Sequence, residues 1–222
     1  MSEETWSFSK LEFLLIISLC FGYSIIGSIH SVLTPPVETP ITNTHLQWLI
    51  IFEPIVLSIC YVLLKSRHFD FSVLAGLGNN VGRHLLRGVG LFLASYLCYY
   101  SVYYVVALFF PDTIAAIAGR DLASGDLNKA SIILVSIINP FFEESILLGY
   151  VVTTLRTRMS KNWCINISIA IRLSYHLYQG PLAVLSILPL GLIFTYWYYK
   201  NSTIWPVVVA HGIYDFLGLI LI

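Results

Sequence analysis

Long runs of apolar residues broken by short polar stretches set the pattern of this chain. A helix needs ~20 mostly apolar residues to cross a bilayer. Seven windows meet or approach that length: residues 11–31, 46–64, 84–110, 131–155, 163–180, 182–199 and 203–222. The window 163–180 is the most polar of them, because it carries Arg172 and His176. Spanning strands would instead show ~10-residue segments of alternating hydrophobicity, and these runs are long and continuous. The expected fold is therefore all-α, a polytopic helical membrane protein with about seven transmembrane helices.

Composition sharpens the picture. The chain has 222 residues, 57% hydrophobic and 11% charged, whereas a soluble domain carries about 25% charged residues. A disordered chain, a secreted disulfide scaffold and an ordinary soluble enzyme are excluded. Twelve Lys and Arg balance twelve Asp and Glu, so no basic footprint points to nucleic acid. The cations are unevenly placed. With the N-terminus cytoplasmic, the inner segments hold Lys10, Lys65, Arg67, Arg83, Arg87, Arg156, Arg158, Lys161 and Lys200, and the outer ones only Arg120 and Lys129. That asymmetry follows the positive-inside rule. The expected location is the plasma membrane of a bacterium, multi-pass, with the lipid bilayer itself as a partner.

The first apolar run lacks a small-x-small cleavage site near its end and reads as an anchor rather than a removable signal. Cys20, Cys60, Cys98 and Cys164 stand singly in or beside the runs, with no C-x-x-C spacing, and read as small core hydrophobes. Three parts follow: residues 1–110 with the N-terminal helices, a polar connection at 111–130, and residues 131–222 with the ionisable groups. In the first part only Glu53, beside Pro54, is a candidate buried charge. It reads as a kink or helix contact rather than a catalytic group. Tyr175, Tyr178 and the run Tyr196–Tyr199 suit an aromatic belt at the membrane interface.

The last four runs hold Glu143, Glu144, Arg172, His176, His211 and Asp215. A charged residue at a helix centre costs roughly 2.5–3.5 kcal/mol on insertion scales, so Glu143, Glu144, Arg172 and Asp215 together cost on the order of 10–14 kcal/mol. Groups this expensive face a bundle interior or a wet cavity and mark function. Arg172 and His176 are four apart and share a helix face, as do His211 and Asp215. Glu143 and Glu144 are adjacent, so at least one looks inward. Pro140 removes a helical hydrogen bond just before them and predicts a kink.

Two carboxyls and two imidazoles in a confined site suit activation of water: a buried Glu as general base, a His to share the proton, and a second His, oriented by Asp215, to steady an oxyanion. Hydrolysis of an acyl bond, most naturally a peptide bond, is the reaction implied. The same nitrogen and oxygen atoms also suit zinc. There is neither H-E-x-x-H nor G-x-S-x-G. A binding protein without catalysis, or a small proton-coupled transporter using the carboxyls as a relay, remain as alternatives.

At these residues a family resemblance emerges. Phe141-Phe142-Glu143-Glu144-Ser145-Ile146-Leu147-Leu148-Gly149-Tyr150 resembles motif one, E-E-x-x-x-R, of the CPBP/Abi intramembrane proteases, which include the type II CAAX prenyl endopeptidases and bacteriocin-processing and immunity proteins. The stretch from Arg172 to His176 is similar to motif two, F-x-x-x-H. The stretch from His211 to Asp215 is similar to motif three, H-x-x-x-N/D. All three occur in order over roughly residues 130–220.

The resemblance implies an intramembrane endopeptidase acting on a membrane-associated or small peptide, by CAAX-type or by bacteriocin- or pheromone-type processing. Glu143 would activate water with help from His176, His211 and Asp215 would form the oxyanion side, and Glu144 would be a supporting carboxyl or metal ligand. Zn2+ held by Glu144, His176 and His211 and a metal-free glutamate mechanism are both compatible with it. A non-catalytic bacteriocin-immunity protein is the alternative that the resemblance itself offers. Two positions depart from the pattern: Leu148 stands where motif one has Arg, and Arg172 where motif two has Phe. We expect Arg172 to supply from the neighbouring helix the charge that position 148 lacks, by pairing with Glu144.

Overall fold

The computed structural model describes residues 7–34, 40–74, 80–112 and 126–221. Most of the polar connection, residues 113–125 with Arg120, lies outside them. Seven long helices run through the described residues: α1 (Lys10–Leu33), α2 (Asn43–Ser66), α3 (Val81–Phe109), α4 (Lys129–Leu155), α5 (Lys161–His176), α6 (Pro181–Asn201) and α7 (Trp205–Ile220). No strand occurs among these residues.

Local sequence explains the boundaries. Ser9, Thr42 and Asn128 cap α1, α2 and α4, accepting from the amides of Glu12, His45 and Ser131 at 3.4, 3.2 and 3.1 Å; such caps satisfy donors that a helix start leaves open. The fifth helix is shorter than its apolar window. It ends at His176 in a 3-10 turn, Leu177–Gln179, because Gly180 takes φ 85° and Pro181 opens α6. That positive φ is one glycine adopts freely.

Four helices, α1 to α4, are long and apolar enough to cross a membrane. This is fewer than the seven crossings expected from the sequence windows. The physical reason is clear for α5 and α7: each has 16 residues, about 24 Å of helix at ~1.5 Å per residue, against a hydrocarbon core of ~30 Å.

The bundle is built around α4. In its most apolar stretch 67% of residues are buried, against 28%, 22% and 11% in α1, α2 and α3. Helix α4 packs on α2 and α7, α7 also on α3, α3 on α6, and α5 on α6 and α1. Two glycines allow the close approaches of α7. A Cβ on Gly212 would lie 2.7 Å from the Ser136 carbonyl oxygen of α4. One on Gly88 would lie 2.5 Å from a Val209 methyl carbon. Outward, α1 to α3 expose large apolar side chains such as Leu11, Tyr23, Ile26, Leu86 and Leu97, a surface suited to lipid and not to water.

Helix α4 is not uniform. It is α-helical over Lys129–Glu144, with Pro140 inside it, and π-helical over Ser145–Val152. A π stretch leaves carbonyls poorly served by their own helix, and neighbours serve them here. Ser168 and Cys164 of α5 donate to the carbonyls of Leu147 and Val152 at 3.4 and 3.6 Å. Thr153 donates to the Leu148 carbonyl at 3.4 Å.

Basic residues tie one end of the bundle together. Arg67 Nε donates to Glu12 at 3.1 Å, Arg156 donates to Ser202 at 2.6 Å, and the Arg158 guanidinium lies 4.9 Å from the Phe8 ring centre. Lys161 and Lys200 both lie 5.4 Å from the centre of the Tyr196 ring. At the opposite end the Asn43 side chain bonds the backbone of Asp126 and Asn128.

Candidate active site

Glu143 and Glu144 end the first α-helical part of α4, immediately before the π stretch. Both are buried, Glu144 completely. Irregular helix turns of this kind recur at functional sites. Arg172, on α5, is 1% exposed and reaches across to both acids. Its Nη2 donates to the two Glu144 oxygens at 2.7 and 2.8 Å, and its Nη1 donates to Glu143 Oε2 at 3.3 Å. The fork of a guanidinium matches a carboxylate in this bidentate way. Leu148, which occupies the arginine position of motif one, is fully buried in the apolar core.

Helix α7 brings the next two groups. His211 Nδ1 lies 2.7 Å from Glu144 Oε1, and His211 Nε2 lies 3.5 Å from Asp215 Oδ1. Asp215 is half-buried and is held from α4 by Asn139, whose amide nitrogen donates to Oδ2 at 2.8 Å. A continuous chain thus runs Asn139–Asp215–His211–Glu144–Arg172–Glu143 across α4, α5 and α7.

Tyr175 completes the grip on Glu143. Its hydroxyl donates to Glu143 Oε2, so that oxygen is shared by Tyr175 and Arg172. Among the described residues Glu143 Oε1 has no such partner. The Tyr175 ring is itself fixed by α1: Phe21 stacks on it with centres 4.6 Å apart and planes 4° apart, and Ser28 Oγ donates to its carbonyl at 2.8 Å.

His176 stands beside this chain and not in it. It ends α5, one helical turn beyond Arg172, with its ring centre 4.5 Å from that of Tyr175. Its Nδ1 is buried with no hydrogen-bond partner. Glu53, on α2, is 3% exposed, its Oε2 likewise has no partner, and its carboxyl feels the charges of Glu143, Asp215 and His211.

For a metal, the convergent donors are one atom each of Glu143, Glu144 and His211, all within 4.8 Å of one another. This set differs from the one expected: Glu143 takes part and His176 does not. Those donors are already engaged, because Arg172 holds both Glu144 oxygens and one of Glu143, and His211 Nδ1 faces Glu144. A guanidinium between two carboxylates occupies the place and the charge a zinc ion would take. The residues as arranged do not fit a zinc centre.

Comparison with known families meets this geometry on the same helices. Residues 127–217 match the family model described as Rce1-like, type II CAAX prenyl endopeptidase Rce1-like. This region is similar to that family. The matched stretch contains α4, α5, α6 and most of α7, and with them every member of the chain just described. That family is one of endopeptidases, and the four helices apolar enough to cross a membrane suit a membrane protein. No curated protein and no solved structure matches the chain.

Three residues in or near this hydrogen-bonded series were not singled out by sequence as members of it. Tyr175 resembled a belt aromatic, although it lies three positions from Arg172 and so on its face. Asn139 precedes Glu143 by one turn on α4. Glu53 was a lone acid in an apolar helix, and only the packing of α2 on α4 brings it close.

Proposed function

We propose that the protein is an intramembrane endopeptidase in which Glu143 activates water without a metal. The observation that carries this reading is the asymmetric treatment of the two glutamates. Glu144 is fully engaged by Arg172 and His211, whereas Glu143 is anchored through Oε2 alone. Glu144 thereby neutralises Arg172 and orients His211, and Glu143 Oε1 is left to accept a proton from water.

The steps follow from that placement. Water held between Glu143 Oε1 and His176 attacks the carbonyl carbon of the scissile bond, and its proton passes to Glu143. The carbonyl oxygen becomes an oxyanion, stabilised by His211 as an imidazolium, whose Nδ1–H donates to Glu144 and whose Nε2–H serves the oxyanion. At 3.5 Å from Asp215, His211 Nε2 is beyond a full hydrogen bond, so an N–H there is free to turn to the oxyanion. The tetrahedral centre then collapses, the C–N bond breaks, and the proton held by Glu143 goes to the leaving nitrogen. Proton transfer of this kind contributes typically 10²–10⁴-fold, and one oxyanion donor about 10²–10³-fold.

The substrate on this reading is a membrane-associated or small peptide of the CAAX type, as the family suggests. The basic end of the bundle would face the cytoplasm of a plasma membrane, following the positive-inside rule. The family match gives no support to the immunity-protein or transporter alternatives. The test is comparative peptidomics of cells carrying wild type or Glu143→Gln. A peptide precursor that accumulates only with the variant supports the reading, and identical peptide profiles together with identical cellular phenotypes overturn it. Chelators such as 1,10-phenanthroline should leave the rate of purified protein unchanged, and chelator-sensitive, zinc-restored cleavage would overturn the metal-free mechanism.

A further inference from the structure

Cys20 of α1 and Cys60 of α2 are forty positions apart in sequence, yet their sulfurs lie 3.5 Å apart. Both side chains are buried, at 4% and 1% exposure. Contrary to the expectation of isolated core thiols, these two form a pair. Cys60 also lines a cavity of about 410 Å³ between α2 and α4, whose other walls include Tyr61, Phe69, Phe71, Phe141 and Tyr150. The cavity is apolar and is lined by α2, α4 and the connection that follows α2, so it suits a lipophilic reagent better than a charged one.

From this juxtaposition we infer that Cys20 and Cys60 form a reversible disulfide site, oxidised by a membrane-soluble quinone that enters the cavity. The step balances. Each thiol loses its proton, the two sulfurs together give up two electrons as the S–S bond forms, and the quinone takes both electrons and both protons to leave as hydroquinone. A disulfide sulfur–sulfur distance is ~2.05 Å, so oxidation draws the two sulfurs together by more than an ångström, a movement shared between the side chains and α1 and α2.

That movement reaches the acid cluster. Phe21, next to Cys20, is the ring stacked on Tyr175, and the Tyr175 hydroxyl holds Glu143 Oε2. A shift of α1 therefore changes how Glu143 is anchored. This last consequence rests on the proposed role of Glu143, whereas the disulfide site does not.

The experiment uses the full-length wild-type chain in lipid nanodiscs, treated with decylubiquinone, then denatured and alkylated with a maleimide. Intact mass should show that two of the four thiols resist alkylation, with peptide mapping joining Cys20 to Cys60 and dithiothreitol restoring both. Cys98, which is exposed, and Cys164, which donates to a backbone carbonyl, should alkylate throughout. Full alkylation of Cys20 and Cys60 after quinone treatment, or a bond from either to Cys98 or to a second copy, overturns the site. In a peptidase assay the oxidised wild type should be at least tenfold slower and recover on reduction, while Cys20→Ser is insensitive to the quinone. An unchanged rate in a fully oxidised sample overturns the link through Phe21 and leaves the disulfide standing. Because the mapping needs no activity, it fails or succeeds independently of the peptidase reading.

Discussion

Arg172 balances two buried acids with one guanidinium, and its removal is the most informative single change. Arg172→Leu leaves Glu143 and Glu144 in the interior with no counter-charge, a change that typically costs about 3–5 kcal/mol. A melt of the purified variant in detergent should show that loss. Adding Leu148→Arg returns a cation one turn from Glu144 and should recover part of the stability, although the buried site of Leu148 must open to admit it. An Arg172→Leu protein that melts and works like wild type would refute the idea that the charge moved from one helix to the other. Tyr175→Phe is milder. It removes one donor to Glu143 while keeping the ring on Phe21, so kcat should fall by about 10- to 100-fold with the melting temperature nearly unchanged. A fall confined to KM would argue that Tyr175 serves substrate binding instead.

At the scale of elements, the decisive contacts are those α7 makes with α3 and α4, because α7 carries His211 and Asp215. Gly212→Ala places a carbon 2.7 Å from the Ser136 carbonyl oxygen, and overpacking of this kind costs typically 1–3 kcal/mol. The expected result is a destabilised protein with a disproportionate loss of activity, since α7 must move and His211 moves with it. A Gly212→Ala variant with unchanged melting temperature would show that the two helices yield. The four-residue interval made the pairing of His211 with Asp215 legible in sequence, and the absence of the motif-one arginine at Leu148 made the pairing of Arg172 with Glu144 legible. The π turn after Glu144 was not legible. Pro140 announced an irregularity, but whether a helix widens depends on which neighbours offer donors to its carbonyls, here Ser168 and Cys164 of α5. Glu53 and the Cys20–Cys60 pair escaped for the same reason: each depends on which helices pack side by side.

For the whole molecule, apolar windows located the seven long helices of the described residues, of which four are long and apolar enough to span. Hydropathy measures the solvent a segment tolerates, and α5 is polar because it packs inside the bundle around Arg172. The distribution of cations was equally legible, and the contacts of Arg67, Arg156, Arg158, Lys161 and Lys200 bring them to one end. If that end is cytoplasmic, a cysteine replacing Arg158 should react with a membrane-impermeant maleimide in inverted vesicles and not in intact cells. One replacing Asn43 should show the reverse. Labelling of both from one side would refute the arrangement.

The order of the acid cluster along the chain has a consequence for biosynthesis. Glu143 and Glu144 leave the ribosome ahead of Arg172, the cation that neutralises them, and ahead of His211. A nascent α4 arriving alone in lipid would carry two uncompensated carboxyls. The expected consequence is that α4 leaves the insertion machinery together with α5, so that the two helices enter the bilayer as a unit.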